Sequence, residues 1–148
     1  MKLKIALGAD HAGYEYKDKL ISYLTENGYS CVDCGTNGPE SVDYPVYASK
    51  VCELVRSEEC DFGILVCGTG IGMSLCANKV KGIRAACCSD TFSARMTRMH
   101  NNSNILCFGA RVVGLGLATD MVDLFLDTEF EGERHNQRIA KMMAIENL

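Results

Sequence analysis

Nine cysteines occur in this chain, and one of them, Cys67, is set apart by its neighbours. The stretch from Asp61 to Asn78 reads DFGILVCGTGIGMSLCAN. Phe62 to Val66 is an apolar run of the length of a buried strand, and Ile71, Ser74, Leu75 and Asn78 follow at helical spacing. Between them lies Cys67-Gly68-Thr69-Gly70-Ile71-Gly72. A strand that enters a helix through a glycine-rich turn presents free backbone N–H groups and the positive end of a helix dipole. Such a place favours an anion. A sulfur at its mouth, with the Thr69 hydroxyl beside it, is expected to be a reactive centre. The plain alternative is a buried thiol at a tight strand–helix turn, since the run lacks both the GxGxxG spacing and the Lys-Ser/Thr of a P-loop.

Other residues suggest polar chemistry. Asp10 and His11 are adjacent and titratable, and they follow the first apolar run. Without a reaction they read as a helix N-cap beside a surface histidine. His100, followed by Asn101, closes a helical pattern, where the dipole alone favours a histidine. Arg134 and Arg138 are four apart and share a helix face. Together they form a fork suited to phosphate, or else a solvated pair bonded to Glu131 and Glu133. Arg111 directly follows the last strand pattern. Cys31-Val32-Asp33-Cys34 is a CxxC, but no second ligand pair completes a zinc site, and the motif lies in a strand rather than opening a helix.

These candidates must be positioned by an alternating chain. Strands are expected over Lys2–Gly8, Tyr29–Cys34, Phe62–Val66, Ile83–Cys88 and Asn104–Phe108. Helices are expected over Tyr14–Glu26, Pro45–Arg56, Gly72–Val80, Asp90 (as cap) to His100, Leu115–Leu126 and Glu133–Glu146. Strict alternation predicts an α/β fold: a three-layer, Rossmann-like (flavodoxin-like) sheet of five parallel strands in the order 2-1-3-4-5, with a C-terminal helix. In that order strands one and three flank the switch point, so Asp10-His11 and Cys67-Gly68-Thr69 meet in one cleft.

The 148 residues, without linker, repeat or low-complexity tract, suggest a single domain over 1–148. A net charge of −4 with scattered lysines and arginines argues against a nucleic-acid surface. No apolar run approaches the ~20 residues of a membrane span, and the first residues do not read as a signal peptide. Most cysteines lie within apolar runs and their number is odd, so reduced thiols in a cytoplasmic protein are expected.

Taken together, the motifs resemble the type B ribose-5-phosphate isomerases of the RpiB/LacA/LacB sugar-phosphate isomerase family. The matching residues are GADHAG (Gly8 to Gly13), DYP (Asp43 to Pro45), CGTGIGMS (Cys67 to Ser74), ANK-x-x-GIRA (Ala77 to Ala85), HNNSN (His100 to Asn104), FGARVVG (Phe108 to Gly114) and EGERHNQR (Glu131 to Arg138). The resemblance implies an aldose–ketose isomerase working through an enediolate without metal or other cofactor. By carry-over Cys67 is the base and Thr69 assists it. Amides of the turn through Gly68, Gly70, Ile71, Gly72 and Ser74 hold the enediolate oxygens. His100 opens the sugar ring with Asp10 nearby, and Asn101 holds sugar hydroxyls. His11, Arg111, Arg134 and Arg138 bind the phosphate. The resemblance also implies a homodimer or dimer of dimers with the site at the subunit interface, some arginines coming from the partner. Related enzymes act on allose 6-phosphate or galactose 6-phosphate. From another class, a non-catalytic module binding a phosphorylated metabolite needs neither Cys67 nor His100, and a redox protein would use Cys31 and Cys34.

Overall fold

In the computed structural model, which describes residues 2–148, five parallel strands form one sheet. They are β1 (Lys4–Ala9), β2 (Ser30–Asp33), β3 (Phe62–Cys67), β4 (Ala85–Cys87) and β5 (Ile105–Gly109). Six helices connect and follow them: α1 (Tyr14–Glu26), α2 (Tyr44–Arg56), α3 (Ile71–Ala77), α4 (Thr91–Asn101), α5 (Leu115–Asp127) and α6 (Arg134–Ala144), the last continued by a 3-10 turn over Ile145–Asn147.

The α/β class and parallel sheet agree with expectation. The strand order does not: it is β2-β1-β3-β5-β4 rather than 2-1-3-4-5. The reason lies in burial. A central parallel strand is covered on both faces and reads as a continuous apolar run. The five residues of β5 are all buried, and they pair with β3 from Gly63↔Ile105 to Cys67↔Gly109. By contrast β4 is three residues long, only partly covered, and preceded by Arg84. It therefore takes the edge beside β5.

The alternation of side chains along each strand builds two cores. On one face Ile5, Leu7, Ile64, Val66, Leu106 and Phe108 pack under α1, α4 and α5. On the other, Ala6, Leu65, Cys67, Ile105 and Cys107 meet Val51 and Cys52 of α2 and Met73 and Ala77 of α3. Tyr23 of α1 donates its hydroxyl hydrogen to Asp123 of α5 at 2.7 Å, which ties the two helices and pushes the phenol up to about 12. The side chain of Asp90 caps α4 by accepting from Ser93 N–H at 2.7 Å, as the sequence suggests.

Two helices leave apolar side chains exposed. α3 is shorter than the sequence suggests and buries Met73 and Ala77, while Ile71 and Leu75 are 55% and 61% exposed. α6 buries only His135, and Met142 and Ile145 face outward. All nine cysteines are free thiols. Burial pushes Cys34 up to about 11 and holds Cys107 well above an ordinary thiol. Among the described residues no helix is long and apolar enough to cross a membrane.

Candidate active site

Cys67 is the last residue of β3 and is buried. Its Sγ accepts a hydrogen bond from the Gly70 N–H at 3.1 Å, so the chain folds its own amide back onto the sulfur. Gly70 makes this possible. Its φ is +81°, and an added Cβ would lie 2.7 Å from the Phe108 backbone. Only glycine combines that left-handed conformation with so close an approach. The turn then enters α3, where the Thr69 Oγ1 accepts from Ile71 N–H at 3.2 Å and the Ser74 N–H donates to the Gly70 carbonyl.

Three of the turn's amides are thus already engaged: Gly70 with sulfur, Ile71 with Thr69, and Ser74 with Gly70. The amides of Gly68, Thr69, Gly72 and Met73 have no acceptor among the described residues, which leaves these four available to a ligand oxygen. The Tyr44 ring closes over this first turn, since a Cβ on Gly72 would meet it at 2.7 Å. Tyr44 was visible in the sequence only as the middle of DYP. The guanidinium of Arg111 lies over Gly68 from the end of β5. Cys87, at the end of β4, donates its thiol hydrogen to the Thr69 carbonyl at 3.8 Å, and burial followed by the nearby Cys67 raises its pKa. No sequence signal separated it from the other cysteines.

Asp10 and His11 reach the same edge of the sheet, because the Asp10 N–H donates to the Val66 carbonyl beside Cys67. Asp10 is buried, and its Oδ1 accepts from Ala12 and Gly13 N–H at 2.9 and 3.2 Å, which holds the turn ahead of α1; the N-cap of α1 is Gly13, so Asp10 is not the helix cap that the sequence offered as an alternative reading. His11 Nδ1 accepts from Val42 N–H at 3.2 Å, so its ring proton sits on Nε2.

The remaining candidates lie elsewhere in the chain. α4 leaves β4 at the carboxyl edge and returns to the amino edge, where Asn104 pairs with Arg84 and Gly63 at the starts of β4 and β3. Eleven residues of helix span about 16 Å. His100 and Asn101, at the far end of α4, are therefore at the opposite edge of the sheet from Cys67. Arg134 and Arg138 are with them: His135, between the two arginines, stacks on His100 with ring centroids 4.5 Å apart and planes at 16°. Among the described residues neither arginine forms an ion pair, so the solvated pairing with Glu131 and Glu133 does not occur. A cleft of about 670 Å³ opens at this edge, lined by Asn101, Lys79, Lys81, Arg84, Met142 and Met143.

The candidate residues of one chain thus fall into two separate groups. The carboxyl edge holds Asp10, His11, Cys67 to Ser74 and Arg111. The amino edge holds His100, Asn101, Arg134 and Arg138. The expectation that strands one and three bring Asp10-His11 to Cys67 agrees with the structure. The residues carried on α4 and α6 do not reach Cys67 within the chain, because an α/β crossover helix runs the full height of the sheet.

At the amino edge His100, Glu131 and His135 offer ligand atoms within 4.8 Å of one another. A metal binds imidazole in the plane of the ring, and two nearly parallel stacked rings direct their lone pairs along parallel lines. These residues do not converge on one ion as they stand. Burial, the neighbouring His100 and then Arg134 lower the His135 pKa, and its Nε2 has no hydrogen-bond partner.

A family model for ribose/galactose isomerases matches residues 5–142. The chain belongs to the ribose/galactose isomerase family. It is an isomerase. Ribose-5-phosphate isomerase B of Escherichia coli is 50% identical to it, covering 97% of this chain and 96% of that protein. The structure of ribose-5-phosphate isomerase B from Clostridium thermocellum superposes with a TM-score of 0.97 at 53% identity, covering 98% of each chain. A Mycoplasma genitalium ribose-5-phosphate isomerase B with bound ribulose-5-phosphate superposes with a TM-score of 0.94 at 38% identity over 99% of this chain and 98% of that one. Subunit LacB of galactose-6-phosphate isomerase from Clostridium acetobutylicum is 39% identical over 93% of this chain and 79% of that protein.

Proposed function

We propose that this isomerase interconverts ribose 5-phosphate and ribulose 5-phosphate in the cytoplasm, as a step of pentose phosphate metabolism, with Cys67 as the base. The observation that carries the reading is the Cys67 sulfur held by the Gly70 amide in a turn with four unengaged amides. A proton α to a carbonyl is weakly acidic, so its transfer needs a placed base and donors aimed at the oxyanion that develops. The sulfur takes the proton from C2 of the aldose, the free amides of the Gly68 to Met73 turn receive the enediolate oxygens, the O2 hydroxyl proton passes to O1, and the carbon-bound proton returns to C1. Asp10 and Thr69 face the sugar, and His11 and Arg111 hold the phosphate from this chain.

The second half-site comes from another copy. His100, which opens the ring, Asn101, which holds hydroxyls, and Arg134 and Arg138, which complete the phosphate site, lie too far from their own Cys67 to serve it. A homodimer, alone or paired into a dimer of dimers, that sets one copy's carboxyl edge on the other's amino edge brings them together. The exposed apolar residues around Cys67 support this contact: Ile71, Leu75, Phe92 and Val112 are each more than half exposed. The 50% and 53% identity to the Escherichia coli and Clostridium thermocellum ribose-5-phosphate isomerases, against 39% to the LacB subunit, favours the pentose over hexose phosphates.

The test is turnover of ribose 5-phosphate against allose 6-phosphate, with chelator present and no cofactor added. Preference for the pentose is expected. Preference for the hexose overturns the substrate and keeps the chemistry. Turnover that survives Cys67→Ala unchanged overturns the base.

A further inference from the structure

Lys17 is wholly buried, yet its ammonium belongs to no part of the site described above. It stands in the first turns of α1 and donates to Asp18 Oδ1 at 2.7 Å, Asp33 Oδ1 at 2.8 Å and Asn37 Oδ1 at 2.9 Å. All three ammonium hydrogens therefore have acceptors. Asp33 ends β2, and its Oδ1 also accepts from Gly35 N–H at 2.9 Å. Beyond it the chain runs through residues 34–43 to the start of α2. The root of this loop is fixed on the end of β1, where Ala9 N–H donates to the Gly35 carbonyl and Thr36 N–H donates to the Ala9 carbonyl. Its far end returns to the turn between β1 and α1, where Val42 N–H donates to His11 Nδ1 at 3.2 Å. His11, α1, Lys17, Asn37, the loop and Val42 close a ring of contacts.

We propose that Lys17 is a positioning residue for phosphate binding: by clasping the loop at Asp33 and Asn37 to α1, it keeps the Val42 N–H on His11 Nδ1. That bond leaves the His11 proton on Nε2, where it donates to a phosphate oxygen. A loop of ten residues held only at its root would let Val42 move away, and the imidazole would then sample both tautomers. The inference rests on the reading of His11 as a phosphate ligand.

Lys17→Met removes the buried ammonium while the Asp18 and Asp33 side chains, 53% and 39% exposed, can take water in its place, so the variant leaves no carboxylate sealed in the interior without a partner. Lys17→Met is therefore the informative variant. We expect KM for ribose 5-phosphate and the inhibition constant of inorganic phosphate to rise together by about fivefold, the worth of one hydrogen bond. We expect kcat to hold within about twofold, since the change precedes chemistry. Long-range proton–nitrogen spectra of the His11 ring, which distinguish its two nitrogens, should move from one fixed tautomer toward the average of two. Unchanged His11 spectra and unchanged KM, with only the melting temperature moved, overturn the proposal. If Lys17→Met does not fold, Asn37→Ala removes one exposed acceptor of the clasp and must show the same joint rise. His11→Gln separates the two levels: if it leaves KM and phosphate inhibition unchanged, the phosphate role of His11 fails whatever the spectra show.

Discussion

Mixing two inactive proteins should restore activity. Cys67 ends β3 at the carboxyl edge of the sheet, and His100 ends α4 at the amino edge, a helix length of about 16 Å away. A proton-transfer group acts over hydrogen-bond distance, so the two residues of one chain cannot serve one sugar. Cys67→Ala and His100→Asn should each lower kcat on the order of a hundredfold or more, as loss of a placed acid or base does. If each site takes Cys67 from one copy and His100 from its partner, a mixed dimer has one site with both defects and one with neither. Equal amounts reassorted at random give about half mixed dimers, so about a quarter of wild-type specific activity should return. The assay is ketose formation from ribose 5-phosphate after co-refolding the two variants, with mixed dimers verified by native mass spectrometry through a mass tag on one chain. Mixed dimers that form but remain as inactive as the parents would refute the split site.

Two further outcomes follow from the same geometry. Gly70→Ala places a Cβ 2.7 Å from the Phe108 backbone at φ +81°, so it should lose at least about 1–2 kcal/mol of stability and disturb the amide on Cys67, read as a lower urea midpoint together with a lower kcat. His135 is held below an ordinary imidazole by burial, His100 and Arg134, so the unfolded chain takes up its proton first. That contribution to stability is fully present above the unfolded value of about 6.5 and is lost as the pH falls from there through the lower value of the folded imidazole. His135→Gln should flatten the fall in urea midpoint between neutral and mildly acidic pH, and an identical slope in both proteins would remove His135 as its cause.

Much of the fold could be read along the chain because its signals are local. The run FGILVC before CGTGIG fixes where β3 ends, and a left-handed glycine with no room for a Cβ has few alternatives. Asp10 after β1 and Arg111 after β5 reach Cys67 because every strand of a parallel sheet ends at the same edge. The motifs that resemble the family were likewise visible as strings, whatever the fold that carries them.

Strand neighbours are a different matter. Both β4 and β5 follow helices, and their order depends on which of them is buried on both faces, a property of the assembled layers. The direction of the α3 side chains was also open, since Ile71 and Leu75 have the spacing of a buried face but look outward while Met73 and Ala77 pack. The sequence by itself determined the family and singled out the candidate site residues with the elements that carry them. Only the tertiary structure decided that those candidates lie in two groups at opposite edges of the sheet, because the distance between Cys67 and His100 is set by the height of the sheet that α4 must cross.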